Sequence, residues 1–288
     1  MTSLWAALGL LSNALAWGVS WWPFRQLQDM GLHPLWATAF IYLSAIVVLV
    51  ATHASGWRDF AKHPGLWALL IASGLTNVGF NWAVTVGDVV RVVLLFYLMP
   101  AWVVLLAWPI LGERPTRGSL VRLALALLGV VMVLKTPEAP WPWPRDAADL
   151  LAIMGGFAFA LTNIMLRKLH GTVPERTTML AMFGGGAVMA TLAALVGMSQ
   201  GVVTPLPALA LDWTMWVAGL SVVILIGNVG MQYGAARLSA SATSIIMLSE
   251  ILFASGSSVW MGASELALHT LAGGALIMAA AVWSAAAD

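Results

Sequence analysis

The sequence predicts an all-α integral membrane protein whose ten transmembrane helices form a five-plus-five inverted-topology repeat. Three observations carry that prediction. Apolar residues make up 61% of the 288 and charged ones only 9%, against about 25% charged in a soluble domain. Charge and Pro/Gly clusters cut the chain into runs of spanning length. Asn77-Val78-Gly79 returns as Asn228-Val229-Gly230 at an offset of 151 residues, with Gln232 on Asn81, Tyr233 on Trp82 and Glu250 on Met99.

Crossing about 30 Å of hydrocarbon takes roughly 20 helical residues. The first run, 4–24, has no Lys or Arg before it and no small-residue cleavage site after it. It therefore reads as a first transmembrane helix and not as a secretion signal. The next runs are 33–54, 65–86, 90–111 and 117–135. The second half supplies 147–167, 177–197, 212–236, 240–261 and 267–286. No alternating segments of barrel type interrupt them, and helices satisfy their backbone groups internally in lipid.

Between the fifth and sixth runs, Pro137, Pro140, Pro142 and Pro144 surround Trp141 and Trp143. This is a stiff linker with Trp suited to the membrane interface. It divides the chain into 1–136, 137–146 and 147–288. Five helices per half is odd, so the second half inserts inverted. The even loops hold Arg58, Lys62, Arg114, Arg117, Arg122, Arg167, Lys168, Arg176 and Arg237; the odd loops hold only Arg25, Arg91, Lys135 and Arg145. The positive-inside rule then places the even loops and both termini in the cytoplasm. Inverted repeats bind their solute near the midplane, between the halves.

Several classes are excluded or disfavoured. A net charge of +1 offers no footprint for nucleic acid. Cysteine is absent, which removes disulfides and Cys-ligated metals. No metalloprotease, nucleophile-elbow, P-loop or dinucleotide motif occurs, so the chain does not read as an enzyme and no cofactor or metal is implied. His33, His53, His63, His170 and His269 lie at helix ends without ligand spacing and read as surface or interface residues.

Candidate site residues follow from polarity inside apolar helices. Asn77 and Asn81 share one face of the third helix, and Asn228 and Gln232 share the repeat-related face of the eighth. An amide facing lipid is costly, so these line a cavity or tie helices together. Trp17 and Ser20 on the first helix, following Asn13, align with Phe159 and Thr162 on the sixth, where Asn163 adjoins them. Rings and hydroxyls on one stripe suit an amphipathic ligand, or core packing. Tyr97 and Pro100 sit mid-helix, with Pro100 a kink and candidate hinge. Ser244 on the ninth helix joins the cavity set. Glu250 is the one acid deep in a helix: structural and protonated, amine-binding, or the carrier of a coupling proton. Gly230 and Gly234 permit a close helix crossing.

Ten helices in a five-plus-five plan, Pro100 in the fourth and Gly112-Glu113-Arg114 after it resemble the drug/metabolite transporter superfamily, EamA type. Phe96-Tyr97-Leu98-Met99-Pro100 and Asn228-Val229-Gly230 are similar to its aromatic amino-acid exporter branch, the YddG-like proteins. The resemblance implies a secondary transporter in a bacterial inner membrane. It implies export of small amphipathic solutes, amino acids and their analogues first, by alternating access. The partners implied are a small-molecule substrate and the lipid bilayer; the oligomeric state is left open, a monomer sufficing. A drug, metabolite or nucleotide-sugar carrier of the same fold is the alternative. A membrane-embedded lipid enzyme is a distant one. One departure is Glu250-Ile251, where EamA repeats often carry Glu-Pro, so no bend is implied there.

Overall fold

The computed structural model describes residues 2–52, 56–134, 143–235, 237, 246–247, 249–265 and 267–287. Among these, every regular element is a helix. In order they are α1 (Thr2–Val19), α2 (Trp21–Asp29), α3 (Pro34–Thr52), a 3₁₀ turn (Gly56–Ala61), α4 (Gly65–Val86), α5 (Val89–Phe96) and α6 (Met99–Leu111). Then come α7 (Arg117–Leu134), α8 (Ala147–Leu169), α9 (Glu175–Ser199), α10 (Leu211–Ala235), α11 (Ser249–Trp260) and α12 (Leu268–Ala287).

Six stretches are long and apolar enough to cross a membrane by length and composition: Leu4–Asp29, Gly65–Val86, Val89–Leu111, Ala147–Leu169, Glu175–Ser199 and Leu211–Met231. Two of the expected runs contain shorter apolar helices, Pro34–Val47 and Leu268–Ala280. Much of the expected ninth run, including Ser244, lies outside the described residues.

Two expected runs are each broken into two helices, for the same chemical reason. The first is interrupted at Ser20 and continues to Asp29, beyond its expected end. Pro23 has no N–H to donate to the Val19 carbonyl. The Ser20 amide instead closes a tight turn on the Trp17 carbonyl at 3.2 Å, and the Ser20 hydroxyl joins the same carbonyl at 2.7 Å. The fourth run is interrupted at Tyr97 and Leu98. Here Pro100 withholds the donor that the Phe96 carbonyl would receive.

The halves of the sequence interlock. α4 packs on α8 and α9, α1 on α10 and α11, α3 on α9, and α7 on α12. Close crossings put glycine on backbone: a Cβ on Gly9 would meet the Gly230 carbonyl oxygen at 2.5 Å, and one on Gly129 the Gly273 oxygen at 2.6 Å. α5 lies at the centre of the largest apolar cluster, with all eight residues buried. Trp21, Phe80, Ala148, Ala152, Ile251 and Ala254 close around it.

His33, in the connection between α2 and α3, is buried and not at the surface. Its Nδ1 accepts the Leu35 N–H at 3.2 Å, and its ring stands edge-on to Trp82 at 5.1 Å. Burial pushes its pKa from 6.5 down to about 4. The folded ring therefore stays neutral where an unfolded one takes up a proton. Stability should fall as pH drops from about 6.5 to about 4. Thermal melts across that range should show a flatter pH dependence for His33→Gln than for the wild type.

Candidate functional site

The break between α5 and α6 delivers Tyr97 to the core. Its hydroxyl donates to Glu250 Oε2 at 3.0 Å and lies 3.4 Å from the Met247 carbonyl. Tyr97 is 4% exposed and Glu250 8%. Glu250 stands in the first turn of α11, and its partner is thus a phenol from across the bundle. The Ser249 hydroxyl, a neighbour in the chain, turns back to the Ile246 carbonyl.

An aromatic belt adjoins this pair. Trp17 meets Phe80 edge-on at 6.4 Å, Phe80 meets Phe96 at 4.7 Å, and Phe96 meets Phe159 at 5.5 Å. The belt draws on α1, α4, α5 and α8. Phe80 and Phe96 lie outside the expected set: each is an apolar ring in an apolar helix, and nothing local in the sequence marks it as part of a site. Ser20 is buried, with its hydroxyl turned to its own helix.

The described amides each have their own partners. Asn77 accepts from the Tyr42 hydroxyl on α3 and donates to the Ser73 carbonyl at 2.7 Å. Asn81 donates to Thr38 Oγ1 on α3 at 3.0 Å, and its Oδ1 has no hydrogen-bond partner among the described residues. Both therefore tie α4 to α3. Asn163 and Asn228 each donate to a carbonyl one turn earlier, those of Phe159 and Ile224, at 3.0 and 2.9 Å. Gln232 lies on α10, but its side chain is outside the described residues, as is that of Pro100; Ser244 is outside altogether.

One face of α8 runs from buried to exposed along the helix. Ala148, Ala152 and Gly155 are buried, Phe159 is half-buried and Asn163 is exposed. These positions lie three and four apart, so they share a face. Exposure on that face rises towards the Arg167 end of the helix.

Two ion pairs fix α8 at its ends. At its start, Asp149 accepts a forked pair of bonds from Arg91 of α5, at 2.7 and 2.8 Å. Both residues are buried, and Arg91 also donates to the Val133 carbonyl of α7 at 2.6 Å. At its end, Arg167 pairs with Glu113, which follows α6, at 2.8 Å in an exposed setting. The sequence held a signal for the first: each charge sits among apolar residues, three places after an Asp N-cap, Asp88 or Asp146.

Residues 4–135 match the EamA-like transporter family. The EamA-like segment runs from α1 to the end of α7. It holds Trp17, Ser20, Asn77, Asn81, Tyr97 and Pro100; Phe159, Asn163, Asn228 and Glu250 lie beyond it. A stretch of 128 residues is 30% identical to an uncharacterized transporter of Pseudomonas aeruginosa, covering 43% of this chain and 40% of that protein. The match thus spans less than half the length of that relative. A solved crystal structure shares the fold with a TM-score of 0.56 at 17% identity, over 97% of this chain and 96% of the other. That likeness concerns fold alone and extends past the EamA-like segment to α12.

Proposed function

We propose that this chain is a secondary transporter of the drug/metabolite superfamily that exports small amphipathic solutes by alternating access. Neutral or aromatic amino acids and their analogues lead the class, as in the YddG-like branch. The observation that carries the reading is the EamA-like match over α1–α7. The aromatic belt beside a buried phenol–carboxylate pair supports the substrate class: rings pack on an apolar body while polar atoms meet a head group.

The two halves, 1–136 and 147–288, are inverted repeats in this reading, joined by the linker 137–146. Helix packing supports it. α4 meets α8 as α10 meets α1, and α5 meets α8 as α11 meets α1. In each case a helix of one half packs on the first helix of the other. Both termini face the cytoplasm of a bacterial cell in this reading. Pro100 serves as a hinge.

Counterflow in proteoliposomes with a panel of labelled amino acids tests this directly. Exchange of aromatic or neutral members is the expected result; no exchange with any member would remove the reading. The same preparation tests Glu250 as the proton carrier. Gln keeps shape and hydrogen bonding but cannot titrate. If Glu250 couples transport to protons, Glu250→Gln abolishes accumulation driven by a pH gradient. Accumulation that survives the substitution rules out that role.

A further inference from the structure

The connection from α9 to α10, residues 200–210, is apolar where a loop in water would be polar. From Thr177 to Leu211 the chain has no Asp, Glu, Lys, Arg or His. The side chains that the connection turns outward are apolar as well. Leu209 is 85% exposed and the adjoining Leu211 73%, and Val202 and Leu206 are exposed with them. Large apolar residues exposed as a group mark a surface that something covers. The group also continues along α10. Met215, Val222 and Ile226 are exposed and spaced to share the helix face of Leu211.

The backbone of the connection suits a medium poor in water, where its polar groups need partners of their own. Residues 200–203 wind back onto the end of α9. The Gln200 N–H donates to the Val196 carbonyl at 3.2 Å, and those of Val202 and Val203 to the Gly197 carbonyl at 2.9 and 3.1 Å. Residues 204–210 form no regular element, but Pro205 and Pro207 have no N–H to satisfy. Two indoles serve carbonyls there: Trp36 of α3 donates to Thr204 at 3.3 Å, and Trp213 of α10 to Ala208 at 3.0 Å. The Thr214 hydroxyl donates to the Ala210 carbonyl at 2.8 Å. Trp216, three residues beyond Trp213, meets Trp22 of α2 edge-on at 5.3 Å. Tryptophan gathers where hydrocarbon meets the headgroups. α9 and α10 each have the length and apolarity to cross a membrane, so the connection between them lies at that level.

We propose that residues 204–211 insert into the interfacial layer of the bilayer, with Leu206, Leu209 and Leu211 among the upper acyl chains. The occupant of this face is phospholipid. The loop has no charge to desolvate on entry, and its leucines continue the apolar face of α10 without a polar break. The indoles of Trp36 and Trp213 hold the loop backbone against α3 and α10 at headgroup level. The connection thus anchors the ends of α9 and α10 in lipid instead of standing in water. The inference rests on the membrane reading of the chain and holds for either side of the bilayer.

The chain has no Cys, so a single introduced thiol carries a label without background. Full-length Leu209→Cys, Val222→Cys and Lys62→Cys are labelled with an environment-sensitive fluorophore and reconstituted into phosphatidylcholine vesicles. Quenching is read with iodide on both sides, and with phospholipids bearing a nitroxide high or low on the acyl chain. Val222, exposed in the middle of α10, is the lipid reference; Lys62, exposed between α3 and α4, is the water reference. The Leu209 label should be quenched by the shallow nitroxide at least twice as strongly as the Lys62 label, and by iodide at most half as strongly. Leu211→Cys gives a second reading at the same level should the first variant fail to fold. Iodide quenching equal to that at Lys62 places the loop in water and overturns the inference. Shielding from iodide and from both nitroxide lipids places a protein surface on the leucines, such as a second copy of the chain, and overturns it too. If the Val222 label also escapes both lipids, the membrane reading itself fails and not merely the placement of this loop.

Discussion

Asp149→Ala is expected to lower the unfolding free energy by about 3–5 kcal/mol, the usual cost of removing one partner from a buried ion pair. The Arg91 guanidinium would remain buried with a single carbonyl, that of Val133, for its charge. The damage would extend to the start of α8. There the Arg145 amide donates to Asp149 Oδ2 at 2.8 Å, so one carboxylate orders the chain entering the helix as well as the helix beneath it. Replacing both members, Arg91→Met with Asp149→Leu, should recover much of the loss, because two apolar side chains need no charge. Thermal unfolding in detergent, followed by Trp fluorescence, gives both values and the coupling between them. A double variant no more stable than Asp149→Ala alone would show that the pair does not act as a unit.

A comparable loss is expected from Gly230→Leu. The crossing of α1 and α10 is reciprocal: a Cβ on Gly230 would meet the Gly9 carbonyl oxygen at 2.6 Å, and one on Gly9 the Gly230 oxygen at 2.5 Å. The obstacle is backbone on both sides, so no rotamer change relieves it. Overpacking of a core ordinarily costs about 1–3 kcal/mol; here the helices must separate, and the yield of monodisperse protein should fall several-fold. Gly219→Leu on the same helix is the control, since a Cβ there meets nothing within 4 Å. Size-exclusion profiles of the two variants should differ. Equal behaviour would mean that α1 and α10 are not held this closely.

These expectations rest on features of unequal visibility in the sequence. Breaks at Ser20 and Tyr97 follow from Pro23 and Pro100, because a missing N–H acts on a fixed carbonyl four residues back. Glu250 was visible as an acid among apolar residues, yet Tyr97 as its partner was not: they lie 153 positions apart, and no local rule couples them. The paired Asn residues were legible as polar, but their direction was not. Asn77 and Asn81 turn to Tyr42 and Thr38 on α3, helix neighbours that spacing alone cannot name. His33 looked like a surface residue because it stands at a helix end; packing of Trp82 over that end buries it.

The long separation within the Arg91–Asp149 pair has a consequence for how the protein is made. Arg91 leaves the ribosome 58 residues ahead of Asp149. At about 5–20 residues per second, the guanidinium waits roughly 3–12 s for its carboxylate. The Val133 carbonyl comes 42 residues after Arg91, and the main packing surfaces for α4 arrive only with α8 and α9. During that interval the charge can stay near the interface by extending its long side chain towards water, since Arg91 lies one turn into α5. If the chain spans the membrane as proposed, its first half reaches its final packing only once α8 has emerged.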